Sequence, residues 1–63
     1  MNLTGWTGKK VKIGLEENGK IYFYIGVIKA QDSDSIKFND RYKGDMIIKK
    51  DQITKIEEAG NHA

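Results

Sequence analysis

The sequence contains no cysteine, and its single histidine, His62, lies next to the last residue. Disulfides and thiolate metal sites are therefore excluded, and one histidine cannot build a metal centre alone. A catalytic serine needs an adjacent base, usually histidine, whereas Ser33 and Ser35 stand beside acidic residues with no base nearby. We expect no metal, no other cofactor, no small-molecule substrate and no enzymatic activity.

Long apolar runs are also missing. No segment is long enough to cross a bilayer, and no apolar stretch follows a basic N-terminus, which predicts no membrane partner and a cytoplasmic location. The 63 residues suffice for one domain. A domain of this size buries only about 60% of the surface that its unfolded chain exposes. A domain this small usually needs additional stabilisation from disulfides, a metal or a partner subunit. Because the first two are excluded here, we expect a homo-oligomer.

Proline is absent too, so nothing interrupts a succession of short runs in which apolar and polar residues alternate. A period of two is typical of β-strands. The predicted strands are residues 10–15, 20–31, 35–39, 46–49 and 53–57, with one 3₁₀ turn at 50–52. Five short strands with tight connections predict an all-β domain that forms a closed or nearly closed barrel.

The dipeptide Asn18-Gly19 predicts a hairpin between the first two strands, because both central residues of a type I′ turn have a positive φ angle. A two-residue turn at this position places Glu17 opposite Lys20 and fixes every later pair of the hairpin. The pairs on the expected core face are Leu15 with Tyr22, Ile13 with Tyr24, and Val11 with Gly26.

The second predicted strand is apolar on both faces, whereas a half-buried strand is apolar on one. In this register its outward-facing residues are Phe23, Ile25 and Val27. Three explanations are open. The strand bends at Gly26 and serves both halves of a barrel, the three residues form a subunit or partner interface, or a longer loop shifts the register.

Two segments resemble the Sm and Sm-like protein family. The first comprises residues 8–15 and, after the turn, residues 24–28 and Asp32. In this family a large residue precedes a strand glycine by two positions and an aliphatic residue follows it by two. The second segment, residues 48–56, has the family's closing pattern of an aliphatic residue, a basic residue, a turn and two aliphatic residues three apart.

The resemblance covers most of residues 8–57 and implies an SH3-like or Sm-like five-stranded barrel. It also implies edge-to-edge assembly into a hexameric or heptameric ring and binding of single-stranded RNA. The RNA-contact motifs are altered, because Ile36 replaces the usual Asn four residues after Asp32, and Lys50 replaces a Gly in the closing turn. The family's N-terminal helix is not evident.

Proteins bind single-stranded nucleic acids with cationic side chains, which contact the phosphates, and with aromatic side chains, on which the bases stack. The predicted contact residues are Lys37, Arg41, Tyr42, Lys49 and Lys50. The net charge of +2 is mild, and interspersed aspartates weaken the field of these residues. The alternative is that the lysines are solubilising surface charges and that Tyr42 packs on the barrel.

Apolar side chains on the outer face point to a second class of function. Ile47 points to the face opposite to that of Met46 and Ile48, so it is available for an apolar contact. The alternative is that Ile47 is a lone apolar residue on the surface, which is ordinary. We predict a subunit or partner interface that comprises Phe23, Ile25, Val27 and Ile47.

The sequence is therefore interpreted as a lead-in segment at residues 1–8, a small β-barrel at 9–58 and a flexible tail at 59–63. The leading hypothesis is a non-catalytic Sm-like module that oligomerises and binds single-stranded nucleic acid, in the first place RNA. The alternative is an SH3-like barrel that serves protein interaction or structural assembly without binding nucleic acid.

Overall fold

The computed structural model of the chain, which describes residue 3 and residues 5–59, contains five antiparallel β-strands in one sheet. The strands are β1 (Lys10–Glu17), β2 (Lys20–Gln31), β3 (Ser35–Asp40), β4 (Gly44–Lys49) and β5 (Ile53–Glu58), in the spatial order β4-β3-β2-β1-β5. The prediction of an all-β fold with five strands is confirmed. The predicted tail beyond Ala59, including His62, lies outside the described residues.

The turn between β1 and β2 has the geometry that its two residues favour. Asn18 has a φ angle of 54° and Gly19 one of 81°, so both lie in the left-handed region that a type I′ turn requires. Glu17 pairs with Lys20, and the hairpin keeps this register as far as Lys10 opposite Val27. The predicted pairs are confirmed, and the explanation of the two-faced β2 by a shifted register is wrong.

The hydrophobic core lies on one face of the sheet. In β1, alternate residues from Val11 to Leu15 are buried, and in β3 Ile36 and Phe38 face the same side. This alternation is what a strand with one covered face produces. The buried apolar residues are Leu3, Val11, Ile13, Leu15, Ile28, Ile36, Phe38, Ile48 and Ile53.

The segment that precedes β1 is held against this core. The side chain of Leu3 is buried, and its carbonyl accepts hydrogen bonds from the Trp6 N–H (3.1 Å) and from Gln31 Nε2 (2.9 Å). The Gly8 N–H donates to the Ile28 carbonyl (2.7 Å). These contacts tie the described part of the lead-in segment to β2.

A bulge interrupts the ladder at each of two places. Lys29 has no partner between the β2–β3 pairs on either side of it, and Thr54 has none between neighbouring β1–β5 pairs. Such bulges bend a strand and increase its local twist. They favour a strongly curved sheet.

A single 3₁₀ turn at Lys50–Gln52 joins β4 to β5, as the sequence predicts. Within residue 3 and residues 5–59, no helix is long and apolar enough to cross a membrane.

Gly26 marks the point at which β2 begins to pair with β3, opposite Asp40. A Cβ atom at this position would lie 2.0 Å from the carbonyl oxygen of Asn39, a distance that no side chain tolerates. Only glycine allows the backbones of β2 and β3 to approach this closely.

We predict that Gly26→Ala destabilises the fold by about 3 kcal/mol or more, because the new methyl group overlaps backbone that cannot move aside. Urea unfolding followed by circular dichroism measures the change. The matched control is Gly19→Ala, which meets open space but keeps a positive φ and should cost only about 1–2 kcal/mol. Equal effects of the two substitutions would contradict the steric explanation.

Candidate functional site

The loop between β3 and β4 is organised by a buried carboxylate. Asp40 is only 4% exposed, and its Oδ2 accepts hydrogen bonds from the backbone N–H groups of Tyr42 and Lys43, both at 2.8 Å. An aspartate that bonds the backbone two and three residues further on stabilises a tight turn. Gly44, with a φ angle of 81°, completes the reversal. Arg41, Tyr42 and Lys43 are thereby held at the tip of the loop.

This loop and the middle of β2 enclose a groove of about 280 Å³, which we call the aromatic groove. Tyr42 is 81% exposed, the largest exposure of any large apolar side chain in the described chain. A tyrosine ring that packed on the sheet would be mostly covered, so the alternative in which Tyr42 packs down is wrong. The groove is lined by Phe23, Tyr24, Ile25, Asp40, Arg41, Tyr42 and Lys43.

Cations lie over the rings of this groove. The guanidinium carbon of Arg41 is 4.8 Å from the centroid of the Tyr42 ring, and Lys43 Nζ is 5.2 Å from that of Tyr24. Both distances are within the range of cation–π attraction, which contributes about 0.5–1 kcal/mol at an exposed site. The contacts restrain the long side chains and place a positive charge beside each ring.

Phe23 extends the same pattern on the outer face of the hairpin. Its ring lies over Gly14, the residue opposite it in β1, where an added Cβ atom would be 3.1 Å from Phe23 Cε1. Lys12 Nζ is 5.0 Å from the centroid of this ring. Because Gly14 has no side chain, the Phe23 ring occupies the space above it, while 56% of Phe23 remains exposed.

The cations around the aromatic groove form no direct ion pair within the described residues, and the one carboxylate that lines the groove is the buried Asp40. The ion pair in the described part of the chain joins Lys55 to Glu57, and no carboxylate lies within ion-pair distance of Lys12, Arg41 or Lys43. Exposed rings flanked by unpaired cations suit a ligand that carries both flat aromatic groups and negative charge.

The five predicted contact residues lie in three different places. Arg41 and Tyr42 belong to the aromatic groove, while Lys37 lies midway along β3, opposite Ile47. Lys49 and Lys50 line a separate cleft at the other end of β3 and β4. The distance between the two ends is about 17 Å, given a rise of about 3.3 Å for each of the five steps from Ser35 to Asp40. The structure therefore brings Arg41 together with Tyr42 and Lys49 together with Lys50, but it does not unite the five residues in one site.

The second cleft, which we call the lysine cleft, is lined by polar residues only: Ser33, Asp34, Lys49, Lys50 and Asp51. The Lys50 N–H donates to the Asp34 carbonyl at 2.8 Å, so the β2–β3 turn and the closing turn touch. The cleft has no aromatic side chain, and two aspartates offset its two lysines, so it offers less to a nucleic acid than the aromatic groove.

The four predicted interface residues do not form one patch. Phe23, Ile25 and Val27 follow one another on the outer face of β2, where Ile25 and Val27 are half-buried. Ile47 is 70% exposed and lies two strands away on β4, at one edge of the sheet.

Sequence reasoning missed Lys12, Tyr24 and Lys43 as members of the charged aromatic surface. The hairpin register contained a signal for Lys12, because it pairs with Ile25 and is the neighbour of the side-chain-free Gly14 on the same face. Lys43 also had a signal, because it follows Tyr42 directly and places that ring between two cations. No comparable signal existed for Tyr24, whose contact with Lys43 depends on how the β3–β4 loop folds over β2.

Comparison with known proteins gives no assignment: no protein-family model, no curated protein and no solved structure matches the chain. The part of the chain described by the structure also holds no group of three or more His, Cys, Asp or Glu residues placed to bind a metal ion.

Asp32 organises the β2–β3 turn as Asp40 organises the β3–β4 loop. Its Oδ1 accepts hydrogen bonds from the N–H groups of Asp34 (2.9 Å) and Ser35 (2.8 Å) and from the Ser35 hydroxyl (3.3 Å). These donors, the two backbone groups first, lower the pKa of the Asp32 carboxyl below its ordinary value. Ionised Asp32 therefore stabilises the folded state above that ordinary value, and this contribution is lost as the pH falls through the lowered pKa.

We predict that Asp32→Asn, which keeps an acceptor oxygen but cannot titrate, destabilises the protein at neutral pH. The difference from the native chain should begin to shrink below about pH 4, where the carboxyl of the unfolded chain takes up its proton, and should disappear once the pH is below the lowered pKa of folded Asp32. Urea unfolding from pH 7 to pH 2 measures it, with Asp34→Asn as a control for the loss of a negative charge in the same turn. A difference that stays constant across this range would contradict the prediction.

Proposed function

We propose that this protein is a non-catalytic binding module that holds single-stranded nucleic acid, RNA in the first place, on the aromatic groove. The observation that carries the proposal is the highly exposed Tyr42 ring, which is held by the Asp40-capped loop beside Arg41 and Lys43. Stacking of a base on an exposed aromatic ring contributes about 1–3 kcal/mol and tolerates any base.

The groove favours a single strand over a duplex. The faces of Tyr42 and Phe23 are accessible only to bases that have left a helical stack, as they have in single strands and loops. The three nearby cations, Lys12, Arg41 and Lys43, are too few for the extended phosphate contacts on which duplex binding depends. In the proposed arrangement, the bases of a single strand stack on the two rings and its phosphates contact the three cations, so that every group of the surface takes part in binding.

We also propose that the curved sheet forms a small barrel of the SH3-like or Sm-like type. The single-sided core and the bulges at Lys29 and Thr54 support this, because closing a sheet requires local bending. The order β4-β3-β2-β1-β5 leaves β4 and β5 as the sheet's outer strands. Edge-to-edge pairing of these strands between subunits is the assembly that the Sm-like resemblance implies, and Ile47 on β4 lies beside such a contact.

A protein-interaction module without nucleic-acid binding is the second candidate. It is favoured by apolar side chains that the groove does not use, notably Ile47 on β4 and Ile21 on β2, which are 70% and 54% exposed. Contiguous exposed apolar side chains mark protein interaction sites, and Ile21 is followed on β2 by the exposed Tyr22 and Phe23.

We predict that fluorescently labelled oligo-U and oligo-A bind the protein, and that Tyr42→Ala weakens the affinity about 10-fold through loss of stacking. Tyr42→Phe is the matched variant, because it keeps the ring and should bind like the native chain. Fluorescence anisotropy measures both. With three phosphate contacts at about 0.7 each, the logarithm of the affinity should fall with the logarithm of the salt concentration with a slope of about −2.

Substitutions in the lysine cleft test which of the two sites binds the oligonucleotide. Lys49→Ala combined with Lys50→Ala should change the affinity for short oligonucleotides by less than Tyr42→Ala does. The reverse order would place the contact in the lysine cleft, and absence of binding at low salt would leave the protein-interaction candidate.

For the oligomeric state, we predict a hexamer or heptamer in solution. Size-exclusion chromatography coupled to light scattering measures the mass. Substitution of the exposed edge residue, Ile47→Lys, should shift the mass towards smaller species, because it buries a charge in the contact. A native chain that elutes as a monomer at all concentrations would exclude ring assembly.

A further inference from the structure

The first half of β2 has an edge that none of the five described strands covers. β2 pairs with β1 from Lys20 onward, whereas its pairing with β3 begins only at Gly26. In the described part of the chain, residues 20–25 therefore have a strand neighbour on one side alone. The uncovered edge borders the aromatic groove.

The hydrogen-bond pattern of the hairpin identifies the backbone groups on this edge. The residues that flank a two-residue turn are hydrogen-bonded to each other, and bonded and non-bonded pairs then alternate along an antiparallel ladder. Ile21, Phe23 and Ile25 occupy the non-bonded positions, so their N–H and C=O groups point away from β1. The Arg41 N–H, which donates to the Ile25 carbonyl at 3.2 Å, agrees with this direction.

The side chains along this edge are exposed on both faces of the sheet. Ile21 and Phe23 on the outer face are 54% and 56% exposed, and Tyr22 on the other face is 43% exposed. An edge that combines free backbone donors and acceptors with large apolar side chains is the surface to which an added strand binds. A peptide backbone matches the spacing of these groups, whereas a nucleic acid has no such ladder to offer.

The charges around the edge define the partner further. Lys12, Arg41 and Lys43 lie towards the Ile25 end, none of them paired with a carboxylate in the described residues. At the turn end, Glu16 stands opposite Ile21. An incoming strand is therefore complementary if its acidic side chains lie near the loop and its apolar side chains lie near the turn.

We propose that the residue 20–25 edge of β2 is a docking site for an extended peptide of another protein. In this peptide apolar residues alternate with polar ones, and acidic residues lie at one end. The peptide pairs with β2 as an added strand, on the same side of β2 as β3. The inference goes beyond nucleic-acid binding and does not depend on it, because it rests on the outward backbone groups of Ile21 and Phe23. The Ile25 carbonyl is already bonded to the Arg41 N–H and marks the end of the free edge.

The first test needs no partner. Amide hydrogen exchange measured by NMR on the native chain should show Ile21 and Phe23 exchanging at least about 10-fold faster than Tyr22 and Tyr24, whose N–H groups bond to β1. Protection of the Phe23 amide in the isolated chain would overturn the proposal. Protection that rises with protein concentration would also overturn it, because the edge would then be occupied by a second copy.

The second test uses a synthetic peptide with capped ends and the sequence Glu-Glu-Val-Thr-Val-Thr-Val. Its addition should slow exchange of the Ile21 and Phe23 amides, while a peptide with the same side chains but N-methylated at alternate residues should not. A version with lysine in place of both glutamates should bind at least about 10-fold more weakly. Equal binding of the N-methylated peptide would overturn strand addition, as would protection of these amides by an oligonucleotide but not by the peptide.

A pair of substitutions separates the edge from the aromatic groove. Ile21→Pro removes one outward N–H and leaves the bonds to β1 intact, which an edge strand tolerates. Ile21→Ala shortens the side chain equally but keeps the N–H. The peptide should bind Ile21→Pro about 10-fold more weakly than Ile21→Ala, with oligonucleotide affinity the same in both. Equal peptide binding by the two folded variants would overturn the proposal.

Discussion

The structure depends on the turn at Asn18 and Gly19. Both residues adopt positive φ angles, so the chain reverses within two residues and the register of β1 against β2 is set without any long-range contact. A slip of one residue would exchange the two faces of β1 and move Val11, Ile13 and Leu15 out of the core. Since β1 also pairs with β5, and β2 with β3, the remaining strands take their positions from this hairpin.

Much of the fold could be predicted because its signals are local. Alternation of apolar and polar residues and the chemistry of one turn are enough to locate five strands and to pair the first two residue by residue. The ends of the strands were harder to predict. β4 begins at Gly44, two residues earlier than the alternation suggests, because Asp40 folds the preceding loop by accepting two backbone hydrogen bonds. In the sequence this carboxylate is one of several aspartates, and its burial, to 4% exposure, is a property of the assembled sheet.

The site was less predictable for the same reason. Arg41 and Tyr42 could be selected from residue type, since a ring between two cations is visible in the sequence. Which other residues join them depends on the tertiary fold. Lys37, Lys49 and Lys50 are cationic like Arg41. Yet Lys37 lies midway along β3, and the six residues of β4 carry the chain from the Arg41 loop to the opposite end of the strands, where Lys49 and Lys50 lie. Lys12 and Phe23, distant in sequence from the loop, are brought near it by the hairpin instead.

The two aspartates at the ends of β3 have a consequence for how this protein can change. Asp32 and Asp40 each fold their own turn, with hydrogen bonds that stay within three residues of the carboxylate. The side chains at the tips of these turns therefore contribute little to holding the sheet. Evolution or a protein engineer can rewrite residues 41–43 to recognise a different ligand while the scaffold beneath them stays the same.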